Sequence, residues 1–140
     1  MFPKFVFLGA GDVAEAALKS MSAYGLVPSA LGELGIVASY GKIISKETIL
    51  SFRYGVLNIH PSLLPKLRGA SPIKSAILED MESTGVSIML LDEKLDHGPI
   101  LAQEKVALSP RVATSDELRD ALMTKGGQLL ANVIPEYIAG

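Results

Sequence analysis

The sequence predicts an α/β domain on a mostly parallel sheet, and three observations carry that prediction. Short apolar runs recur at residues 5–8, 35–39, 56–60, 86–91 and 100–106, each of strand length. Helical patterns alternate with the early runs and close the chain, which is the order of an α/β fold. Hydrophobic residues make up 49% of the 140, and mean hydropathy is +0.35, as strands buried on both faces require. That length supports one domain around a single core.

Residues 5–8 read as a buried strand. Gly9, Ala10, Gly11 and Asp12 then turn the chain, with Asp12 as N-cap of a helix over 13–24. Its apolar positions are Val13, Ala16, Ala17 and Met21. Segment 25–35 holds Pro28 and three glycines and reads mostly as loop. A second strand follows at 35–39. Ser45 caps a short helix over 46–52, and the third strand is 56–60. Ser71-Pro72 opens a helix to about 80, with Pro at its first position. Two further strands lie at 86–91 and 100–106. Thr114 and Glu117 form a capping box for the last helix, whose apolar positions Leu118, Leu122, Leu129, Val133 and Ile138 are expected to pack on the sheet. Gly126-Gly127 is expected to kink it, and Pro135 to bend or end it.

Net charge is −2, so no global basic field draws nucleic acid. Cysteine is absent, which removes disulfides, thiolate metal sites and a thiol nucleophile. Two histidines, His60 and His97, leave little for a His-based metal site, and none is expected. No apolar run reaches the roughly 20 residues of a membrane span, and the start lacks a signal-peptide core. A cytoplasmic location without membrane attachment is the expectation.

Chemistry concentrates between residues 55 and 69. The third strand carries Asn58 and His60 two residues apart, hence on one face. An amide donates to an oxygen gaining negative charge, and an imidazole does the same or moves a proton near neutral pH. The chain then turns through Pro61 and Pro65 at a strand end, where sites form in open α/β sheets. Asp96 adds a carboxylate in a Gly/Pro-punctuated loop. Each also has an ordinary use: Asn58 and Asp96 as turn formers, His60 as a hydrogen-bonded strand residue. Lys66, Arg68 and Lys74 cluster in the sequence, read as a solvated face or a contact to substrate phosphate. Gly9-Ala10-Gly11 reads as a tight turn rather than an anion cradle, since Asp12 would repel phosphate.

Four strings resemble the catalytic domain of the folate-dependent formyltransferase family, nearest its methionyl-tRNA branch. They are Tyr40-Gly-Lys-Ile-Ile44, Leu57-Asn-Ile-His-Pro-Ser-Leu-Leu-Pro-Lys-Leu-Arg-Gly-Ala-Ser-Pro72, Glu82-Ser-Thr-Gly-Val-Ser-Ile88 and Leu95-Asp-His-Gly-Pro-Ile-Leu101. The resemblance implies a three-layer Rossmann-like fold with a shortened sheet, a single truncated catalytic domain over 1–140. It implies transfer of a formyl group from 10-formyltetrahydrofolate to an amine acceptor, as in one-carbon metabolism and translation initiation. Asn58 and protonated His60 would hold the tetrahedral oxyanion. Asp96 would orient His60 and pass the amine proton through water. Tyr40, Gly41, Lys42, Ile43, Ser62, Leu63, Leu64 and Pro65 would line the folate pocket, largely by backbone groups.

The chain departs from the family in one large way. The family carries two more strand–helix units between the first helix and the Tyr-Gly strand, where this chain has only 25–35. In the tRNA branch that region includes a basic loop reaching the acceptor stem. The family's C-terminal barrel also has no counterpart here. Binding to tRNA is therefore expected to be weak or absent. A sugar-amine formyltransferase, a formyl-folate hydrolase, and a non-catalytic remnant or engineered deletion that at most binds folate are the alternatives. The shortening leaves 5–8 as an edge strand, and an uncovered apolar edge invites pairing. A homodimer through it is expected, unless 25–35 folds back and covers it.

Overall fold

The computed structural model describes residues 2–40, 44–62, 73, 83–92, 98–107 and 115–140. Among these are five strands and three helices: β1 (Phe5–Leu8), α1 (Gly11–Ala23), β2 (Leu34–Val37), α2 (Lys46–Leu50), β3 (Val56–His60), β4 (Ser83–Leu90), β5 (Ile100–Ala107) and α3 (Ser115–Ala139). The strands lie side by side in chain order, β1-β2-β3-β4-β5. The first three are parallel, β4 is antiparallel to β3, and β5 is antiparallel to β4. Only β4 therefore runs against the rest, and the mostly parallel α/β sheet is what forms. Expected strand limits shift by one to three residues: 35–39 becomes Leu34–Val37, and 86–91 becomes Ser83–Leu90. The expected helix at 71–80 and the Thr114 cap lie outside the described residues, apart from Ile73, which is helical and buried.

Alternation along the strands splits the sheet into two faces. One face presents Phe5, Leu34, Ile36, Leu57, Ile59, Val86 and Ile88 to Ala17 and Met21 of α1 and to Leu118, Leu122, Met123, Leu130 and Ile134 of α3. This is the main core. The other face presents Val37 and Val56, packed with Ile44, Tyr40, Ile49, Phe52, Leu8 and Leu91. Gly35 belongs there because a side chain would press on Val56 Cγ2 at 2.9 Å and Phe52 Cε2 at 3.2 Å.

One local expectation is corrected. Asp12 is not the N-cap of α1. The cap position is Ala10, with no side-chain hydrogen bond, and Gly11 turns the chain into the helix at φ +85°. Asp12 sits in the first turn, where a carboxylate suits the positive helix end, and its Oδ2 lies 3.5 Å from Arg119. Ser45 does cap α2, its hydroxyl accepting from the Thr48 N–H at 3.2 Å. In α3 the buried residues are Leu118, Leu122, Met123, Leu130 and Ile134, and the expected Leu129, Val133 and Ile138 pack against the same core partly buried. The helix runs on through Gly126-Gly127 and through Pro135. The two glycines serve close approach: a Cβ on Gly126 would lie 2.9 Å from Ile59 Cγ2, and one on Gly127 would run into Ser20 of α1.

Two features bear on the short connection at 25–35. First, α1 and α2 lie on opposite faces, yet β1→β2 and β2→β3 step the same way across the sheet. The two parallel crossovers therefore have opposite hands, although a right hand is the near-universal rule. Second, the segment folds against β1. The Ser29 N–H donates to the Phe5 carbonyl at 2.8 Å, whereas Glu33 N–H to Lys4 and Ala38 N–H to Leu8 run on the β2 side. Carbonyls alternate sides along a strand, so Ser29 caps the outward side of β1. Gly32 passes so close to Phe5 that a Cβ would lie 2.7 Å from its Cα.

Candidate active site

β3 is built as a central strand. Gly55, at φ +74°, turns the chain into it, and Val56, Leu57 and Ile59 fill both faces with apolar bulk. Pro61 ends it, because a residue without an N–H cannot extend a ladder on both sides. The Ser62 N–H donates to the His60 carbonyl at 2.8 Å, closing a three-residue turn around Pro61. The parallel order places the C-terminal ends of β1, β2 and β3 at one edge of the sheet. There the chain passes Gly9, Ser39-Tyr40 and Pro61-Ser62. Ser39 holds a left-handed φ of 53°, uncommon for a residue with a side chain.

Asn58 and His60 share the face turned away from α1 and α3, as their spacing predicts. Asn58 lies in register with Val37 on one side and Met89 on the other. It is 9% exposed and His60 5%. The amide thus sits among apolar neighbours, where a hydrogen bond to a developing charge is stronger than in water. His60 lies opposite Ser87.

A run of hydrogen bonds reaches His60 from the neighbouring strands. Gln103 Nε2 donates to Ser87 Oγ at 2.9 Å, and Ser87 Oγ donates to the Ser62 carbonyl at 2.6 Å. Ser62 Oγ lies 2.8 Å from His60 Nδ1. Ser62 and Ser87 are fully buried, so each hydroxyl needs the partner it has. Ser62 was expected to serve the folate pocket by its backbone; its side chain is turned to His60. Ser87 and Gln103 carried no expected role. The signal for Ser87 was a lone hydroxyl between Val86 and Ile88 in an apolar strand, where a buried polar group has to be satisfied from a neighbouring strand.

Of the other expected site residues, Tyr40 follows β2 and packs with Val37, Ile44 and Val56. Gly41, Lys42, Ile43, Leu63, Leu64, Pro65 and Asp96 lie outside the described residues, as do Lys66, Arg68, Lys74 and His97. The hairpin that bears Asp96 is described on both sides. The Leu90 N–H donates to the Pro99 carbonyl at 2.8 Å. Gly98 lies so close to Leu90 that a Cβ would come within 2.7 Å of its carbonyl carbon.

Comparison with known proteins points one way. A family model described as formyl transferase matches residues 5–134. The chain is 48% identical over 108 residues to a methionyl-tRNA formyltransferase of Chloroflexus aurantiacus, covering 77% of this chain and 34% of that protein. It is 39% identical over 133 residues to one of a Roseiflexus species, covering 95% and 41%. The chain thus spans between a third and about two fifths of the length of these curated relatives. Among solved structures, the phosphoribosylglycinamide formyltransferase of Bacillus halodurans superposes with a TM-score of 0.75 at 22% identity, over 96% of this chain and 94% of that one. That of Streptococcus pneumoniae superposes at 0.76 and 18%, over 99% of each. At such identities the likeness is one of fold.

Proposed function

The chain belongs to the formyl transferase family, and we propose that its site moves a formyl group from 10-formyltetrahydrofolate to an amine, in the manner of methionyl-tRNA formyltransferases. One observation supports this most: an amide and an imidazole, Asn58 and His60, are buried side by side on one sheet face at the C-terminal end of β3.

The chemistry follows from that pair. The acceptor amine is the nucleophile and attacks the formyl carbon. The carbonyl oxygen takes up the electron pair and becomes an oxyanion. Asn58 Nδ2–H and a His60 N–H donate to it. The bond from carbon to N10 then breaks, the oxyanion returns to a carbonyl, the amine loses a proton and N10 gains one. Asp96 is proposed as the carboxylate that handles the amine proton through water, a role that rests on the family resemblance. Tyr40 to Ile43 and Ser62 to Pro65 are proposed to meet the folate. No metal enters this scheme. A cytoplasmic location belongs to the same proposal; among the described residues no helix is long and apolar enough to cross a membrane.

The acceptor follows from what the relatives are named for, methionyl-tRNA, with a sugar amine or water as substitutes. A second reading has an observation in its favour. Crossovers of opposite hand are what removing strand–helix units would leave, so a non-catalytic remnant that at most binds folate stands as the rival. The test is turnover of 10-formyltetrahydrofolate with methionyl-tRNA, an amino sugar or water as acceptor, alongside calorimetric titration with a stable folate analogue. Turnover that disappears in His60→Ala supports the proposal. A folded wild-type chain with neither turnover nor folate binding overturns it in favour of the remnant.

A further inference from the structure

We propose that Ser62 is a positioning residue for His60, and that Ser87 and Gln103 brace it from the neighbouring strands so that His60 meets the formyl oxygen through Nε2–H. This rests on the formyl-transfer reading above for its function, though not for its geometry.

The argument begins with the turn. Pro61 and the Ser62 N–H bond to the His60 carbonyl bring the Ser62 hydroxyl back beside the imidazole, 2.8 Å from Nδ1. A hydroxyl is both donor and acceptor. Where it donates to Nδ1 of neutral His60, the ring carries its hydrogen on Nε2. Against protonated His60 it rotates and accepts from Nδ1–H. In that arrangement Nε2 carries hydrogen in both states, so its donor persists when the ring gains or loses a proton. A carboxylate or an amide N–H at Nδ1 would serve one state only.

The brace explains why the hydroxyl stays in place. The Ser62 carbonyl accepts from Ser87 Oγ at 2.6 Å, and Ser87 Oγ accepts from Gln103 Nε2 at 2.9 Å. The Gln103 donor occupies the Ser87 oxygen and directs the Ser87 proton at the Ser62 carbonyl. His60, Ser87 and Gln103 lie in one register row across β3, β4 and β5. The turn after β3 is thus pinned by the two strands beyond it.

The experiment uses the full chain labelled with ¹⁵N-histidine, with His97→Gln assigning the two rings. Long-range ¹H–¹⁵N correlation reads which ring nitrogen carries hydrogen. Wild-type neutral His60 is expected as a single form protonated on Nε2. Ser62→Ala should give a mixture of tautomers, and Ser62→Thr, which keeps the hydroxyl, should restore the wild-type pattern. Ser87→Ala should shift it in the same direction as Ser62→Ala but less. If Ser62→Ala fails to fold, Ser87→Ala decides. Hydrogen on Nδ1 in the wild type, or a His60 spectrum unmoved by every folded variant among these, overturns the proposal. In turnover, Ser62→Ala should lower kcat about tenfold, the order of one lost hydrogen bond, with little change in the KM for the folate. Absence of wild-type turnover would count against the formyl-transfer reading while leaving the nitrogen assignment to decide this one.

Discussion

Asn58 is the residue on which the proposed chemistry depends most directly. It is flanked by Val37 and Met89 and is 9% exposed, so a hydrogen bond it donates counts for more than the same bond in water. Asn58→Ala should lower formyl transfer about 100- to 1000-fold, the usual effect of losing one oxyanion donor, while far-UV circular dichroism stays as in wild type. A loss under about tenfold would place the oxyanion elsewhere. Tyr137 makes a residue-scale test of stability instead. Its hydroxyl donates to the Tyr54 carbonyl at 2.5 Å, tying α3 to the turn before β3. Tyr137→Phe should cost about 1 kcal/mol in urea melts at neutral pH. Burial raises the Tyr137 pKa above its ordinary 10.0, so the folded state keeps the proton that the unfolded state gives up. That contribution is whole below pH 10 and is lost as pH climbs above it. The gap between wild type and Tyr137→Phe should therefore shrink in alkali; a gap that widens would mean the sign is wrong. Asn58 and His60 were legible because a strand's period of two fixes shared faces. The Ser62 hydroxyl was not, because spacing says nothing of a turn that reverses a side chain onto the residue two before it.

At the scale of elements, the five strands were legible as apolar runs, and their ends were not. β2 begins at Leu34, one residue before the expected start, because pairing with Phe5 recruits it. The positions expected in α3 do pack on the main core, Leu118 and Leu122 buried and Leu129, Val133 and Ile138 partly so, while Met123, Leu130 and Ile134 were not singled out. A helix that packs on the sheet and on α1 together buries more than one narrow stripe, and the glycines keep it close to both. A methyl at Gly127 would meet Ser20 Oγ and lie 2.9 Å from the Ser20 carbonyl carbon. Helix propensity favours Ala over Gly by about 1 kcal/mol, but crowding against backbone costs about 1–3. Gly127→Ala should thus destabilise the fold in denaturant melts, and a stabilised variant would show that α1 moves aside freely. Gly98→Ala is a sharper case, because the Leu90 backbone cannot yield without opening the β4–β5 hairpin. It should remove turnover while the β1–β3 amides keep their exchange protection.

For the molecule as a whole, the α/β class and the family were legible, and the consequences of the short 25–35 connection were not. Opposite crossover hands depend on which face each helix takes, and no local pattern reports that. The same connection bears on partners. The family's tRNA-contacting loop has no counterpart in it, and the net charge is −2, so binding to initiator tRNA should be weak and fall steeply with salt. Submicromolar, salt-resistant binding in a filter assay would mean that recognition resides in the catalytic domain. Assembly turns on the β1 edge. An open apolar edge would favour a homodimer, the arrangement expected from sequence. Yet the Ser29 N–H already occupies the outward Phe5 carbonyl, and Gly32 lies against the same strand. A second copy could pair with β1 only by displacing that segment, which also buries Leu26 in the core. We therefore predict a monomer by light scattering at micromolar concentration, with amide exchange in Phe5–Leu8 as slow as in Val56–His60. Gly32→Val should push 25–35 off the strand, because its side chain cannot fit over the Phe5 backbone. That variant should speed β1 exchange and raise the apparent mass with concentration. A wild-type dimer whose β1 amides are protected only when it is associated would show that the edge is covered by a second chain.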